Sequence, residues 1–197
     1  MSMRETAPWY RPLTVDDLER MPDDGNRYEL VDGRLDVSPA PVYVHTLVEG
    51  RLAIHLGPAL VRAGFMILQG LGMNLKGDRD HHRIPDLAVI RADAGEHPYL
   101  TRPPLLAVEV LSPECRDRDR FAKRAEYAEF GVPSYWIIDP SLEKPSILEL
   151  RLDGGTYRAA ARVFGDDVFR TDAPCRLSIV PRWLVSDGAW LDHIGGE

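Results

Sequence analysis

Val44, Val48, Leu52, Leu56 and Leu60 recur every fourth residue through "VHTLVEGRLAIHLGPALVRAG", with Leu47 beside them. That period marks one face of an α-helix, so the pattern predicts a long amphipathic helix, ended or kinked at Pro58. A short helix is predicted at "LTVDDLERM", with Thr14 as N-cap, acids in the first turn, and Leu18 and Met21 on one side. A third, highly charged helix is predicted at "RDRDRFAKRAEYAEFG", stopping at Gly131.

Other segments read as strands. "RYELVDGRLDVS" predicts a hairpin around Asp32-Gly33, pairing Val31 with Arg34, Leu30 with Leu35, Glu29 with Asp36 and Tyr28 with Val37. Tyr28, Leu30, Leu35 and Val37 then share a face suited to a core, while Glu29 opposes Asp36 on the other. "FMILQGLGMNL" reads as one strand with glycines at bulges. "RIPDLAVIRA", "PPLLAVEVLS" and "PSYWIIDP" read as apolar strands, "SILELRLDGGTYRAAARV" as a second hairpin and "RLSIV" as one more strand. The strand–helix–strand unit from Leu105 to Asp139 implies a parallel pair with a right-handed crossover. The hairpins add antiparallel strands. The expected class is α/β, in the α+β sense: a mixed sheet flanked by helices, with hairpins near both ends. A chain of 197 residues without internal repeats suggests one domain over 1–197, with a core at about 13–165.

Composition narrows the function. No apolar run approaches the ~18 residues of a membrane span. The start, "MSMRETAPWYRP", lacks the apolar stretch of a signal peptide, so a cytoplasmic protein is expected. Two cysteines, Cys115 and Cys175, offer neither a disulfide framework nor a Cys-based zinc site. The net charge of −7 argues against tight non-specific binding of nucleic acid through overall charge, leaving only a local basic patch.

The sharpest chemistry is a single carboxylate inside each of two strand-like segments: Asp86 in "RIPDLAVI" and Glu109 in "LLAVEVLSP". A buried carboxylate needs a cation, hydrogen-bond donors or exposure at a strand end. On neighbouring strands the two acids converge, repelling by about 4 kcal/mol at ~4 Å and an effective dielectric near 20. A divalent cation removes that repulsion, and hard oxygen ligands favour Mg²⁺ or Mn²⁺. The bland alternative is a pair of edge residues, solvated or paired with arginines, and spacing alone favours it. The next helix carries Arg116, Arg118, Arg120, Lys123 and Arg124, with Lys123 and Tyr127 one turn apart on a shared face. A lysine packed against a metal-binding pair can orient water or stabilise charge on a phosphate; the alternative is a solvated helical face.

"YELVDG", "PDLAVI", "VEVLSP" and "DRDRFAKRAEYAEFGVPSYWIIDP", in that order and spacing, resemble the Uma-type restriction-endonuclease family of the PD-(D/E)xK nuclease superfamily, from about Leu13 to Gly165. The resemblance implies a restriction endonuclease-like core and a Mg²⁺- or Mn²⁺-dependent endonuclease acting on DNA. It implies Asp86 as the acid of the PD element and Glu109 as the second acid. Leu111 stands where the superfamily lysine normally follows, and the resemblance moves that role to Lys123. Glu29 matches a further acid and His45 a histidine at the start of the long helix. The implied catalytic set is Glu29, His45, Asp86, Glu109 and Lys123, with the metal on Asp86, Glu109 and the carbonyl of Val110. One departure stands out: the family's Ser-Pro-Ser-Thr is here Ser112-Pro113-Glu114-Cys115. A catalytically silent nuclease-fold binding or scaffold protein is the rival reading, favoured by the net charge and this altered loop. A homodimer is expected, because sheet edges tend to be covered and cutting a duplex benefits from two sites.

Other residues read as bland. His81 and His82, in "GDRDHHRIPD", are expected in an exposed loop, His55 as packed or on the surface, and Tyr135 and Trp136 as core. Glu126 and Glu129 are expected as solvated helix residues. Cys115 lies just before a helix, where thiolates can be activated, but no second residue makes it a nucleophile.

Overall fold

The computed structural model describes residues 11–77, 79–112 and 116–196, with side chains described from residue 122 onward in the last span. Cys115, and with it the altered part of the 112–115 loop, lies outside the described residues. The elements are α1 (Val15–Leu18), β1 (Arg27–Val31), β2 (Arg34–Ser38), α2 (Tyr43–Arg62), β3 (Phe65–Gln69), β4 (Met73–Asn74), β5 (His82–Arg83), β6 (Leu87–Arg91), β7 (Leu106–Val110), α3 (Arg116–Phe130), β8 (Ser134–Asp139), β9 (Ser146–Asp153), β10 (Thr156–Phe164), β11 (Phe169–Thr171), β12 (Leu177–Ile179), α4 (Arg182–Val185) and α5 (Trp190–His193). A six-stranded sheet has the order β10-β9-β8-β7-β6-β3, a four-stranded sheet β2-β1-β5-β4, and β11 pairs with β12. Only β7 and β8 run parallel, joined through α3; the other named pairs are antiparallel. This is the mixed sheet expected from the strand–helix–strand unit and the hairpins.

Each face of the large sheet has its own core. Leu106, Val108 and Val110 of β7, with Trp136 and Ile138 of β8, pack with Val48, Leu52, Leu56 and Leu60 of α2. Ala107, Tyr135 and Ile137 alternate to the other face and pack with Tyr127 of α3 and Val132. Tyr135 and Trp136 are fully buried, as expected. By the same alternation Glu109 belongs to the α3 face.

The long helix does not stop at Pro58 but continues to Arg62. Pro58 deprives the Ile54 carbonyl of its donor, and both residues are exposed, so water can replace the lost bond. Beyond it Leu60 is fully buried, contributing about 1.5–3 kcal/mol, comparable to the roughly 3 kcal/mol cost of an interior proline before hydration offsets it.

Three expectations about strands need correction. "FMILQGLGMNL" is two strands in different sheets: the chain leaves the large sheet after Gln69, turns through Gly70 at φ +59° and enters the small one as β4. Gly72 is needed there, because a Cβ would come within 2.4 Å of His82 Cε1. "RIPDLAVI" is also divided, with Asp86 just ahead of β6 and not within a strand. His81 and His82 are buried, not in an exposed loop, because β5 pairs between β1 and β4 through Leu30↔His82 and Asn74↔His82. Burial drops the His82 pKa to about 4, and its Nδ1 lies 2.6 Å from the Asn74 side-chain oxygen.

The first hairpin keeps its expected register, turning at Asp32 and Gly33 with φ +48° and +72°. Its covered face is the other one. Leu35 and Val37 are exposed, whereas Glu29 is buried and Asp36 partly so. Only Leu30 on the apolar face is fully buried.

Candidate active site

The register that pairs Leu87 with Val108 and Ala88 with Ala107, continued by one residue, places Asp86 opposite Glu109. Directly opposed residues point to one face, so the two acids come together at one end of the large sheet. A cleft of about 260 Å³ opens there, lined by Arg27, Glu29, Asp36, His45, Asp86, Glu109, Val110 and Lys123, among others. Every residue of the implied catalytic set reaches it.

Each acid is held by more than one partner. Asp86 Oδ2 accepts the Val110 N–H at 2.7 Å, tying it to the adjacent strand. Asp86 Oδ1 lies 2.5 Å from Arg27 Nη1 and 3.2 Å from His45 Nε2. Glu109 accepts Lys123 Nζ at 2.9 and 3.0 Å and the Tyr127 hydroxyl at 2.8 Å. Lys123 and Tyr127, one turn apart on α3, thus both turn onto the carboxylate that β7 presents. Glu29 accepts the Ile84 N–H at 2.6 Å and lies 3.3 Å from Lys123 Nζ. Lys123 therefore bridges two buried acids.

The repulsion between Glu29 and Asp36 is relieved by Arg83, whose Nη1 reaches them at 3.1 and 3.4 Å, while Arg34 is exposed. Arg83 also donates to Glu126 through Nε at 2.6 Å and Nη2 at 2.8 Å. Glu126 is thus no solvated helix residue: α3 turns it onto a guanidinium buried in the small sheet. Glu129 is exposed, as expected, and His55 packs with Nε2 2.7 Å from the Ser178 carbonyl oxygen.

The electrostatics follow from these contacts. Burial works to raise the Asp86 pKa, but hydrogen bonding and charge from His45 and Arg27 outweigh it and keep the carboxyl ionised. Burial works to lower the His45 pKa, yet its bonds to Asp86 and Glu49, and their charges, carry it to about 9. His45 is therefore an imidazolium at neutral pH. Burial, followed by the charge of Glu109, lifts Tyr127 well above the usual phenol range, so it stays a donor.

The donors fit a hard divalent cation. Glu49 and Asp86 each offer a carboxylate oxygen and His45 a ring nitrogen, all within 4.8 Å of one another, and His45 can serve as a ligand only once its ring proton is lost. Among the described side chains lining the cleft, Glu29, Asp36, Asp86 and Glu109 face Arg27, His45 and Lys123, one negative charge in excess. A divalent cation would turn that into one positive charge, matched to a phosphodiester anion.

Sequence reasoning overlooked Arg27, Glu49 and Arg83. Two left a local signal: Arg27 is two residues before Glu29 and so on the same face of β1, and Glu49 is one turn after His45 on α2. Arg83 left none, because its partners come from β1, β2 and α3.

A mixed sheet with helices on both faces, and at its end an acid on β7, a second acid just ahead of β6 and a lysine, define a restriction endonuclease-like fold. The profile of the Uma2 family, described as "Putative restriction endonuclease", matches residues 15–180, and the chain belongs to that family. In the crystal structure of "a putative nuclease belonging to DUF820" from Anabaena variabilis, 99% of the chain aligns with 91% of this one at a TM-score of 0.64 and 17% identity. That likeness speaks to the fold. No curated protein sequence matches this chain. Among the described residues no helix is long and apolar enough to cross a membrane.

Proposed function

We infer that the chain is a divalent-metal-dependent endonuclease hydrolysing phosphodiester bonds in DNA. The observation that carries this reading is the opposed pair of Asp86 and Glu109 in the cleft, with Lys123 on Glu109. Mg²⁺ or Mn²⁺ would be held by Asp86, Glu109 and the Val110 carbonyl, and when bound would supply Lewis acidity and lower the pKa of its water. Arg27 and the Val110 N–H fix the Asp86 carboxylate. Lys123 keeps positive charge beside Glu109 and Glu29, where it can orient an attacking water and stabilise charge on phosphorus. His45, protonated at neutral pH, can give its Nε2 proton to a departing oxygen. The test is cleavage of single-stranded, duplex and branched DNA with and without Mn²⁺ or Mg²⁺; no metal-dependent product from any of them removes the reading.

One observation favours a second reading, a catalytically silent binding or scaffold protein: Arg27 and Lys123 already neutralise the acid pair. The variant Lys123→Ala separates the two. In the enzyme it lowers cleavage on the order of 10²-fold, as loss of one preorganised stabiliser does, while metal affinity in calorimetry is kept. In a silent protein Lys123 only locks the site, and its removal creates metal binding without turnover.

Glu29 is tested by contrast with its strand partner. Glu29→Gln is expected to reduce metal-dependent cleavage, because Glu29 shares Lys123 with Glu109, whereas Asp36→Asn leaves the rate near wild type. Equal rates in both variants and the wild type would take Glu29 out of the mechanism. We further propose a homodimer, since β3 and β10 are the outer strands of the large sheet. Light scattering should return about twice the 22.2 kDa chain mass, and a value near 22.2 kDa at micromolar concentration refutes it.

A further inference from the structure

On the outer face of α2, Tyr43, Leu47, Gly50, Ile54, Gly57 and Val61 follow one another at alternating steps of four and three residues. That alternation is the 3.5-residue repeat by which one helix packs along another. None of the six belongs to either core. Tyr43 is 79% exposed, Ile54 56% and Val61 67%, and the other three are half-buried. Of the side chains flanking this seam only Arg51 is charged, and it is turned onto its own chain, donating to the Trp183 and Ser186 carbonyls at 3.1 and 2.7 Å. An uncharged apolar strip along an exposed helix marks an interaction surface.

The two glycines point to what covers it. Glycine inside a helix costs stability against alanine. Neither Gly50 nor Gly57 has a positive φ, and a Cβ at either position would meet nothing within 4 Å. Nothing in their own chain needs them. They leave two dents in an exposed face, and such dents let a second helix come close.

The seam is also its own complement. Leu47, Ile54 and Val61 take one position of the heptad, and Tyr43, Gly50 and Gly57 take the other. In a parallel pair each position meets its own kind, bulk on bulk and gap on gap. In an antiparallel pair Leu47 of one copy faces Gly57 of the other, Ile54 faces Gly50 and Val61 faces Tyr43. The same three contacts recur across the two-fold axis, as in the isologous interface of a closed dimer. Two copies of net charge −7 repel, and they lose least by meeting across a face without charge. The ring of Trp190 lies 5.0 Å from the Arg51 guanidinium beside the seam, and with the exposed Leu191 it widens the apolar surface towards the roughly 800 Å² per partner of a stable interface.

We propose that α2 pairs antiparallel with α2 of a second copy of the chain along the seam from Tyr43 to Val61. The proposal rests on the homodimer put forward above and names the face that forms it; it is independent of nuclease activity. His45 lines the cleft near the N-terminal end of α2, so the two clefts fall at opposite ends of the seam.

Sedimentation equilibrium of the full chain across the micromolar range tests this, with melting curves to confirm that each variant folds. The wild type should return twice 22.2 kDa. Ile54→Glu should raise the dissociation constant on the order of 10²-fold, as loss of a central anchor does. Gly50→Leu should raise it at least about 10-fold, because the added bulk overpacks the contact. The double variant Tyr43→Lys/Val61→Glu should dimerise more tightly than Tyr43→Glu/Val61→Glu, since antiparallel helices bring opposite charges together at both ends. A dimer as tight as wild type in Ile54→Glu overturns the seam and leaves the homodimer to a sheet edge. A tighter dimer in Gly50→Leu overturns the close approach of the helices, and equal affinities in the two double variants overturn their direction. A wild type that stays at 22.2 kDa throughout removes both the seam and the homodimer.

Discussion

Asp86→Asn and Glu109→Gln are each expected to abolish metal-dependent cleavage, lowering the rate by at least about 10²–10³-fold, the loss that follows removal of one preorganised electrostatic stabiliser. Both are close in shape to the residues they replace and remove one negative charge from a cleft whose described lining has one in excess. The attraction for a divalent cation therefore falls along with a ligand atom. The two variants should differ in the metal-free protein. In Asp86→Asn, Arg27 and His45 lose their nearest shared anion, so two cations are left with Glu49 alone, at 4.0 and 3.2 Å. In Glu109→Gln, Lys123 still has Glu29 at 3.3 Å. The melting temperature should drop more for Asp86→Asn. Calorimetric titration with Mn²⁺, paired with cleavage rates at saturating metal, is the measurement. Metal affinity unchanged in both variants would move the metal away from this pair.

Much of this site was legible because its local parts follow short-range rules. An acid in each of two apolar segments, the Asp32-Gly33 turn and the one-turn spacing of Lys123 and Tyr127 are patterns within a few residues of each other. The hairpin register followed from the turn alone. Which face of the hairpin is covered did not, because a period of two says which side chains share a face and nothing about what packs on it. Here α3 and β5 bring Lys123 and Arg83 to the acidic face, and Leu35 and Val37 are left outside. The small sheet was the least legible part. Its β4 and β5 have two residues each, too short for any periodicity, and they form by pairing with each other, while β5 also pairs with distant β1. The identity of the acids' partners was hidden for the same reason: Arg27 meets Asp86 across 59 positions and Arg83 meets Glu126 across 43.

Arg83→Met is expected to cause the largest loss of stability of any single change discussed, about 3–5 kcal/mol in urea unfolding. The side chain is fully buried and its guanidinium touches Glu29, Asp36 and Glu126, carboxylates from β1, β2 and α3. A methionine fills similar volume but leaves those acids facing one another with less charge to offset them. His81, 3.4 Å from Glu126, and Lys123, 3.3 Å from Glu29, compensate only in part. The effect should depend on pH in a definite direction. In the wild type, burial works to raise the Glu126 pKa, but hydrogen bonds from His81 and Arg83, and their charges, bring it down to about 2 from 4.5. A carboxyl depressed on folding contributes stability that is fully present above 4.5 and is lost as pH falls towards 2. The variant lacks the part of that contribution that Arg83 supplies, and keeps the part from His81. The stability gap between wild type and Arg83→Met should therefore be widest above pH 4.5 and narrow steadily below it. Urea midpoints for both proteins at pH 7, 5 and 3 test this, given the same dependence on denaturant in each. A gap that stays constant, or widens in acid, would mean that Arg83 stabilises the fold through packing of its stem and not through the three carboxylates it joins.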